Sequence, residues 1–249
     1  MQSESTVDFI IPVYNEAANI ESALRSLYGA ASMAKRVFIV YDFDGDTTVP
    51  VVGRLMPDFA GLETVRNVRG RGVLNAIRTG IAAATGDVVI ISMADLSDDV
   101  AIIPEMVRLI REEGFDVVCA SRYMKGGRQI GGPLVKRVLS QVAGATLYWV
   151  GALPVHDATN AFRAYRRSVL ASFEIESGGG FEYSLELTAK AAAAGFRVTE
   201  VPSTWRDRSA GASRFRLFRW LPHYLRWYWF ALFHRGAKHA AARATQDAP

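Results

Sequence analysis

Apolar residues along this chain fall into short continuous runs, separated by segments in which they recur every three or four positions. Val7-Asp8-Phe9-Ile10-Ile11-Pro12-Val13 reads as a buried strand, and Ile20, Leu24 and Leu27 mark one face of a following helix. Arg36 to Tyr41 predicts a second strand, Leu62 to Val65 a weaker third, Asp87 to Met93 a fourth and Phe115 to Ala120 a fifth. Helical segments lie between them, including Val73 to Ala84, expected to stop near Gly86 as a helix C-terminus does. Apolar strands alternating with helices predict an α/β protein with a mainly parallel sheet, flanked by helices on both faces. Ligands bind such sheets beyond the carboxyl ends of the strands.

The polar residues collect at those ends. Tyr14-Asn15-Glu16 follows the first strand, Asp42-Phe43-Asp44-Gly45-Asp46 the second, and Asp95-Leu96-Ser97-Asp98-Asp99 the fourth. Asn15, Asp46 or Asp98 serves equally well as a cap for the next helix, but capping does not require carboxylates in both later loops. No Walker phosphate loop is present. Gly70-Arg71-Gly72-Val73-Leu74-Asn75 only approaches a dinucleotide fingerprint and reads as a turn into a helix.

At 249 residues and 50% hydrophobic, the chain is long enough for one α/β domain with a tail. Cys119, the single cysteine, lies in an apolar run and excludes an internal disulfide. The first residues lack the basic start and apolar stretch of a secretory signal, so a cytoplasmic setting is expected. The net charge of +4 is uneven: Ser203 to Pro249 holds nine Lys or Arg against two Asp. Val117 to His156 carries Arg122, Lys125, Arg128, Lys136 and Arg137 with no acidic residue. Both stretches suit phosphate-bearing partners.

Leu217 to Phe233 is aromatic and basic together, with Trp220, Trp227 and Trp229 among Arg219, His223 and Arg226. A spanning helix needs about 20 mostly uncharged residues. This segment is expected to lie in the membrane interface as an amphipathic helix, the alternative being a helix that covers the domain or a dimer partner. The uncharged run Val138 to Val155 is read as a helix dipping into the bilayer surface. Peripheral membrane association is therefore expected. The basic charge accompanies no nucleic-acid module, so no nucleic-acid partner is expected; a homo-oligomer is left open.

Pro12-Val13-Tyr14-Asn15-Glu16, the Asp42 loop, Ala94-Asp95-Leu96-Ser97 and Ser121-Arg122-Tyr123 occur in an informative order. Asp157-Ala158-Thr159-Asn160-Ala161-Phe162-Arg163, Glu200-Val201-Pro202 and Asp207 to Phe215 continue it. The whole resembles dolichol-phosphate (polyprenyl-phosphate) mannosyltransferase-like members of glycosyltransferase family 2 over roughly residues 7–216. The resemblance implies a GT-A fold in residues 1–216; residue composition adds an amphipathic interfacial helix at 217–235 and, where apolar content falls, a flexible tail at 236–249. The resemblance also implies hexosyl transfer, with inversion, from a nucleoside-diphosphate sugar to a polyprenyl or dolichyl phosphate. Pro12, Tyr14, Asn15, Glu16, Asp42, Asp44, Ala94 and Asp95 would then bind the donor, and Arg122, Lys136, Arg137 and Ser140 the acceptor phosphate. Asp95, Arg122, Arg137, Asp157 and Arg208 form the implied catalytic set, with Arg208 closing over the donor.

The implied cofactor is Mg²⁺ or Mn²⁺ on the diphosphate, held by Asp95. The family's metal loop reads Asp-x-Asp, whereas here Met93 takes the first position, and a thioether is a poor ligand for a hard cation. Asp98 or Asp99 is expected to restore a carboxylate, directly or through water; a weaker metal site, a metal held mostly by the diphosphate, or a donor-binding protein without turnover are the alternatives. Tyr41 departs similarly from a common aspartate before Asp42. Asp157 is read as orienting the acceptor, as a base if the acceptor is a hydroxyl, or as a turn cap. Glu182, after Gly178-Gly179-Gly180, is read as a first-turn helix residue or a sugar contact. His156 is read as structural, and the glycine-rich stretch Lys125 to Pro133 as a mobile acceptor loop.

Overall fold

The structure, a computed structural model, describes residues 6–207 and 217–234. Five strands lie where the apolar runs predict them: β1 (Val7–Pro12), β2 (Lys35–Tyr41), β3 (Leu62–Arg66), β4 (Val88–Ile91) and β5 (Val117–Ser121). A two-stranded parallel ribbon joins β6 (Arg128–Ile130) to β9 (Thr204–Arg206), and β7 (Arg163–Arg166) and β8 (Val198–Pro202) complete the main sheet. Its order is β3-β2-β1-β4-β7-β5-β8. All neighbours pair in parallel except β7, which runs antiparallel to both β4 and β5.

Alternate strand residues feed two cores, as a doubly covered sheet requires. Phe9, Ile11, Val37, Ile39 and Ile90 face α1 (Ile20–Ala30), α2 (Thr48–Leu55) and α4 (Ile103–Arg111). Ile10, Phe38, Val40, Val89 and Ile91 face the other layer. That layer holds α3 (Val73–Ala83), α5 (Leu134–Trp149), α6 (Arg167–Ser172), α7 (Tyr183–Ala193) and α8 (Leu217–Phe233). Gly80 lets α3 approach β1 closely, since a Cβ there would stand 2.4 Å from Ile10 Cγ2.

Gly86 does not end α3. The helix stops at Ala83 with Ala84 extended, and the Gly86 N–H donates to Asp8 Oδ2 at 2.7 Å. A Cβ on Gly86 would meet Thr6 O at 2.4 Å, so this glycine serves a close backbone crossing. By contrast, α5 ends well short of Val155. Gly151 adopts φ +71°, its N–H donates to Tyr148 O, and Ala152 N–H donates to Leu147 O, the double closure of a Schellman motif.

The inner face of α8 belongs to the core, with Trp227 and Ala231 each 2% exposed. Thr146 Oγ1 on α5 and the Tyr228 hydroxyl share a 2.9 Å hydrogen bond, joining the two helices. Among the described residues no helix is long and apolar enough to cross a membrane.

Candidate active site

Three polar loops follow the carboxyl ends of β1, β2 and β4, and the buried carboxylate of Asp46 ties the first two together. Asn15 takes the left-handed conformation, φ +56°, which turns the chain sharply after buried Pro12 and Val13. Its N–H donates to both oxygens of Asp46 at 3.1 Å, and Asp46 Oδ1 also accepts from Thr48 N at 2.8 Å. Asp46 is not the N-cap of α2, which is Thr47; its carboxylate closes the turn onto Thr48 and links the first two loops. The Asn15 Oδ1 accepts from Thr47 N, and Glu16 Oε2 accepts from Asn19 Nδ2. Tyr14 stands exposed, its ring 5.5 Å from that of Phe43, over which Arg71 lies.

Asp42 is held from two sides: Asn67 Nδ2 donates to Oδ1 at 2.7 Å and Gly72 N donates to Oδ2 at 2.8 Å. Asp44 does not join it, pairing instead with Arg66 at 3.2 Å on the surface. Asn67 is absent from the sequence-derived set. Its carboxamide is fully used: Nδ2 also donates to Gly70 O, while Oδ1 accepts from Arg69 N and Thr79 Oγ1. A polar residue directly after β3, at the ligand-bearing edge, was the available signal. The Gly70-Arg71-Gly72 turn therefore contributes to the site through its backbone. Replacing Asn67 with Ala is expected to raise the donor KM about tenfold with little change in acceptor KM, because it frees Asp42 and orphans buried partners. Initial rates with each substrate varied in turn check this.

The loop after β4 carries the second strained residue, Leu96, at φ +60°. Asp95, 8% exposed, accepts through Oδ1 from Ser97 N at 3.2 Å and Ser97 Oγ at 2.6 Å, and Ala94 is buried beside it. Asp99 caps the following 3₁₀ turn by accepting from Ala101 N. Asp98 does not cap. Its Oδ2 is shielded from solvent and has no hydrogen-bond partner among the described residues. Burial, then the neighbouring Asp95 charge, pushes the Asp98 carboxyl up to about 7, against the opposing effects of Arg122 and the Met93 backbone.

Two carboxylates within electrostatic reach, one bearing an orphaned oxygen, suit a hard divalent cation that takes its other ligands from diphosphate and water. Among the described residues no cluster of three or more His, Cys, Asp or Glu could hold a metal. The donor set is therefore adequate only together with substrate oxygens, and Met93 adds nothing suitable.

Arg122 follows β5 and closes a fork on Asp157: Nε donates to Oδ2 at 2.6 Å and Nη2 to Oδ1 at 2.9 Å. Asp157 is fully buried. Burial alone would raise its pKa, but the Arg122 charge and hydrogen bonds outweigh this and hold the carboxyl below the usual range. Such a group is a poor base. Glu182, also fully buried, receives Gly179 N at 2.6 Å and Gly180 N at 2.7 Å on its two oxygens. It braces its own glycine turn at the start of α7. His156 pairs through Nδ1 with Glu200 and stacks on Tyr148.

Arg137 and Ser140 lie one turn apart on α5. Ser140 Oγ is hydrogen-bonded to the Tyr123 hydroxyl, which also donates to Gln129 Oε1 at 2.9 Å. Tyr123 thus links β5, the glycine-rich loop and α5. Arg137 is exposed and makes no ion pair among the described residues, whereas Lys136 is half-buried beside it. Arg208 lies outside the described residues, as does the tail at 236–249. The strand leading to Arg208 is in place: Arg206 N donates to Ser97 O and Asp207 N to Ile130 O, so β9 bridges the Asp95 loop and the β6 ribbon.

Residues 8–173 of this chain match the family model described as glycosyl transferase family 2. The chain belongs to that family. Among characterised relatives of this family-2 chain is the dolichol-phosphate mannosyltransferase of Pyrococcus furiosus, 29% identical over 228 residues. The match covers 88% of this chain and 63% of that protein, so the chain spans less than two thirds of its length. The polyprenol monophosphomannose synthase of Mycolicibacterium smegmatis is 28% identical over 212 residues, covering 82% of this chain and 79% of the relative. In structure, the chain is similar to glucosyl-3-phosphoglycerate synthase from Mycobacterium tuberculosis in complex with Mn²⁺, UDP and glucosyl-3-phosphoglycerate. The TM-score is 0.67 and the identity 20%, over 92% of this chain and 80% of that one. At that identity the likeness establishes the GT-A architecture alone.

Proposed function

We propose that this chain transfers a hexosyl group, with inversion, from a nucleoside-diphosphate sugar to a polyprenyl phosphate at a membrane surface. The observation that carries the acceptor class is the reversed amphipathicity of α5. Gly144, Leu147 and Tyr148 face the core, whereas Leu134, Val135, Val138, Leu139, Val142 and Trp149 are all exposed. At 3.6 residues per turn these six occupy one arc of about 140°. Arg137 and Ser140 lie outside that arc, so one helix presents both an apolar row and the means to hold a phosphate. The activities for which the Pyrococcus and Mycolicibacterium relatives are named support the same acceptor class.

In this reading the Pro12–Glu16 loop and Asp42 receive the nucleoside. Asp95 and Asp98 hold Mg²⁺ or Mn²⁺, which when bound offsets charge on the diphosphate. Arg137, with Lys136, Ser140 and Arg122, directs an acceptor phosphate oxygen at the anomeric carbon. One carbon–oxygen bond forms as the bond to the diphosphate breaks, and the electron pair leaves with the nucleoside diphosphate. A single displacement inverts the anomeric centre. A phosphate oxygen is already anionic near neutral pH and needs no base, so positioning is the main demand. A hydroxyl acceptor would need one, and Asp157 and Glu182 are both occupied.

Residues 1–216 then form the transferase domain, and 217–235 an interfacial helix. The inner face of α8 packs on the domain, while Leu225, Trp229 and Phe233 form an exposed row at four-residue spacing. The protein would attach peripherally to the cytoplasmic leaflet.

The test is a panel of UDP, GDP and dTDP sugars with short-chain polyprenyl phosphate, a lipid-linked sugar and a free sugar, with and without Mn²⁺. Turnover confined to hydroxyl acceptors would refute the phosphate assignment, and nucleotide binding without any turnover would refute the enzyme. For the membrane surface, Val138→Glu is expected to weaken sedimentation with phosphatidylglycerol-containing vesicles about tenfold, a cost typical of placing a charge on an interfacial apolar face. Turnover of a soluble short-chain acceptor should persist. Unchanged sedimentation would remove α5 from the membrane interface.

A further inference from the structure

We propose that Asp157 and Thr159 are positioning residues that hold Arg122 as a preset, single-edged donor to the acceptor phosphate. This rests on the phosphate-acceptor reading above and assigns roles that the family motifs leave open.

Arg122 is fixed more completely than ion pairing requires. Besides the two-point fork, its backbone N–H donates to Asp157 Oδ2 at 3.1 Å, and Nη2 has a second acceptor in Thr159 Oγ1 at 3.0 Å. One carboxylate therefore anchors both the main chain and the side chain of the same residue. The remaining capacity of Asp157 Oδ1 is taken by Thr159 N at 3.2 Å and Asn160 N at 3.1 Å. The 157–160 turn is itself clamped from below by Arg163, whose guanidinium is fully buried. Arg163 Nη2 donates to Asp157 O at 3.1 Å and Nε to Asn160 O at 2.7 Å, while Asn160 Nδ2 donates to Ala120 O at 3.0 Å.

Two consequences follow for recognition. With Nε and Nη2 engaged, Nη1 is the Arg122 nitrogen without a hydrogen-bond partner among the described residues. Arg122 therefore contacts a phosphate at one point instead of through its fork. Its charge is largely offset by Asp157, so it contributes direction, and the exposed Arg137 contributes net attraction. Immobilising Arg122 in the folded protein also removes the entropic cost of ordering it when the acceptor arrives.

The experiment uses the full chain with short-chain polyprenyl phosphate and compares wild type, Thr159→Val and Asp157→Asn. Thr159→Val keeps shape and charge but deletes one acceptor of Nη2 and the hydroxyl that donates to Asp157 Oδ1 at 3.3 Å. Positioning predicts an acceptor KM raised about tenfold in Thr159→Val, and acceptor kcat/KM lowered about a hundredfold in Asp157→Asn. Nucleotide binding, measured by titration of UDP or GDP, should be unchanged in both. If Asp157 were instead a base, Asp157→Asn would abolish kcat, a low-pH limb would vanish from the rate profile, and Thr159→Val would be silent. If the pair were only structural, both variants would lose thermal stability and nucleotide affinity together, without an acceptor-specific KM change. Either result overturns the proposal. Failure of wild type to use any lipid phosphate would instead refute the acceptor reading itself, so the two failures are distinguishable.

Discussion

Asp95→Ala is expected to lower kcat by about a thousandfold in the presence of Mn²⁺, the loss associated with several kcal/mol of charge stabilisation at the leaving group. The reason is the thinness of the site. Asp95 and Asp98 are carboxylates of the loop after β4 that lie within electrostatic reach of each other, and Met93 offers no hard oxygen beside them. A site with a full set of protein ligands would tolerate the loss of one better than this pair can.

The same geometry predicts a pH dependence. A carboxylate must be ionised to bind a cation, and Asp98 is raised to about 7 by burial and by Asp95. Below that pH it carries a proton that the cation must displace, so affinity for Mn²⁺ with nucleotide should fall by about tenfold per pH unit below 7 and level off above it. Asp98→Asn should flatten this profile. Metal titrations followed by nucleotide fluorescence between mildly acidic and mildly basic pH test both statements. A rate indifferent to Asp95→Ala would remove the metal assignment.

Arg137→Ala carries the second large expectation: an acceptor KM raised about a hundredfold, with donor KM unchanged, as for removal of a charge-assisted contact to phosphate. Arg122 cannot compensate, because its fork is closed on Asp157. Arg137 is exposed, so its attraction is screened by salt; wild-type acceptor KM should rise with ionic strength and that of Arg137→Ala should not. Arg137→Lys should recover part of the loss, since charge survives while planar geometry does not. Acceptor kinetics across a salt series distinguish this from a folding defect, which would shift both substrates together.

Much of this molecule was legible from local pattern. β1, β2, β4 and β5 are buried on both faces over most of their length, so each appears as a mainly apolar run, and strand-end polar loops then locate the ligand edge without knowledge of the contacts. β7 escaped because arginine stands at both of its ends. Arg163 is tolerated at full burial through carbonyls of the nearby 157–160 turn and through Ser184 O and Thr188 Oγ1 of α7, more than 20 residues further on. Asn67 escaped for a related reason: a single asparagine after a weak strand gains meaning only when Asp42, 25 residues earlier, is beside it.

By itself, then, the sequence determined the α/β alternation, the edge at which the polar loops gather, the family motifs and the excess of positive charge near the acceptor segment. All are properties of neighbouring residues, encoded in period, order and spacing. Only the tertiary structure decided which face of α5 meets the core, because a helical period defines a stripe but not the direction in which it points. It likewise decided that Asp98 lies within electrostatic reach of Asp95 while Asp99 caps, and that Arg122 is clamped by a carboxylate 35 residues away instead of standing free. Ion pairs and buried carboxylates take their roles from what folding brings next to them, and that proximity has no local signature in the chain.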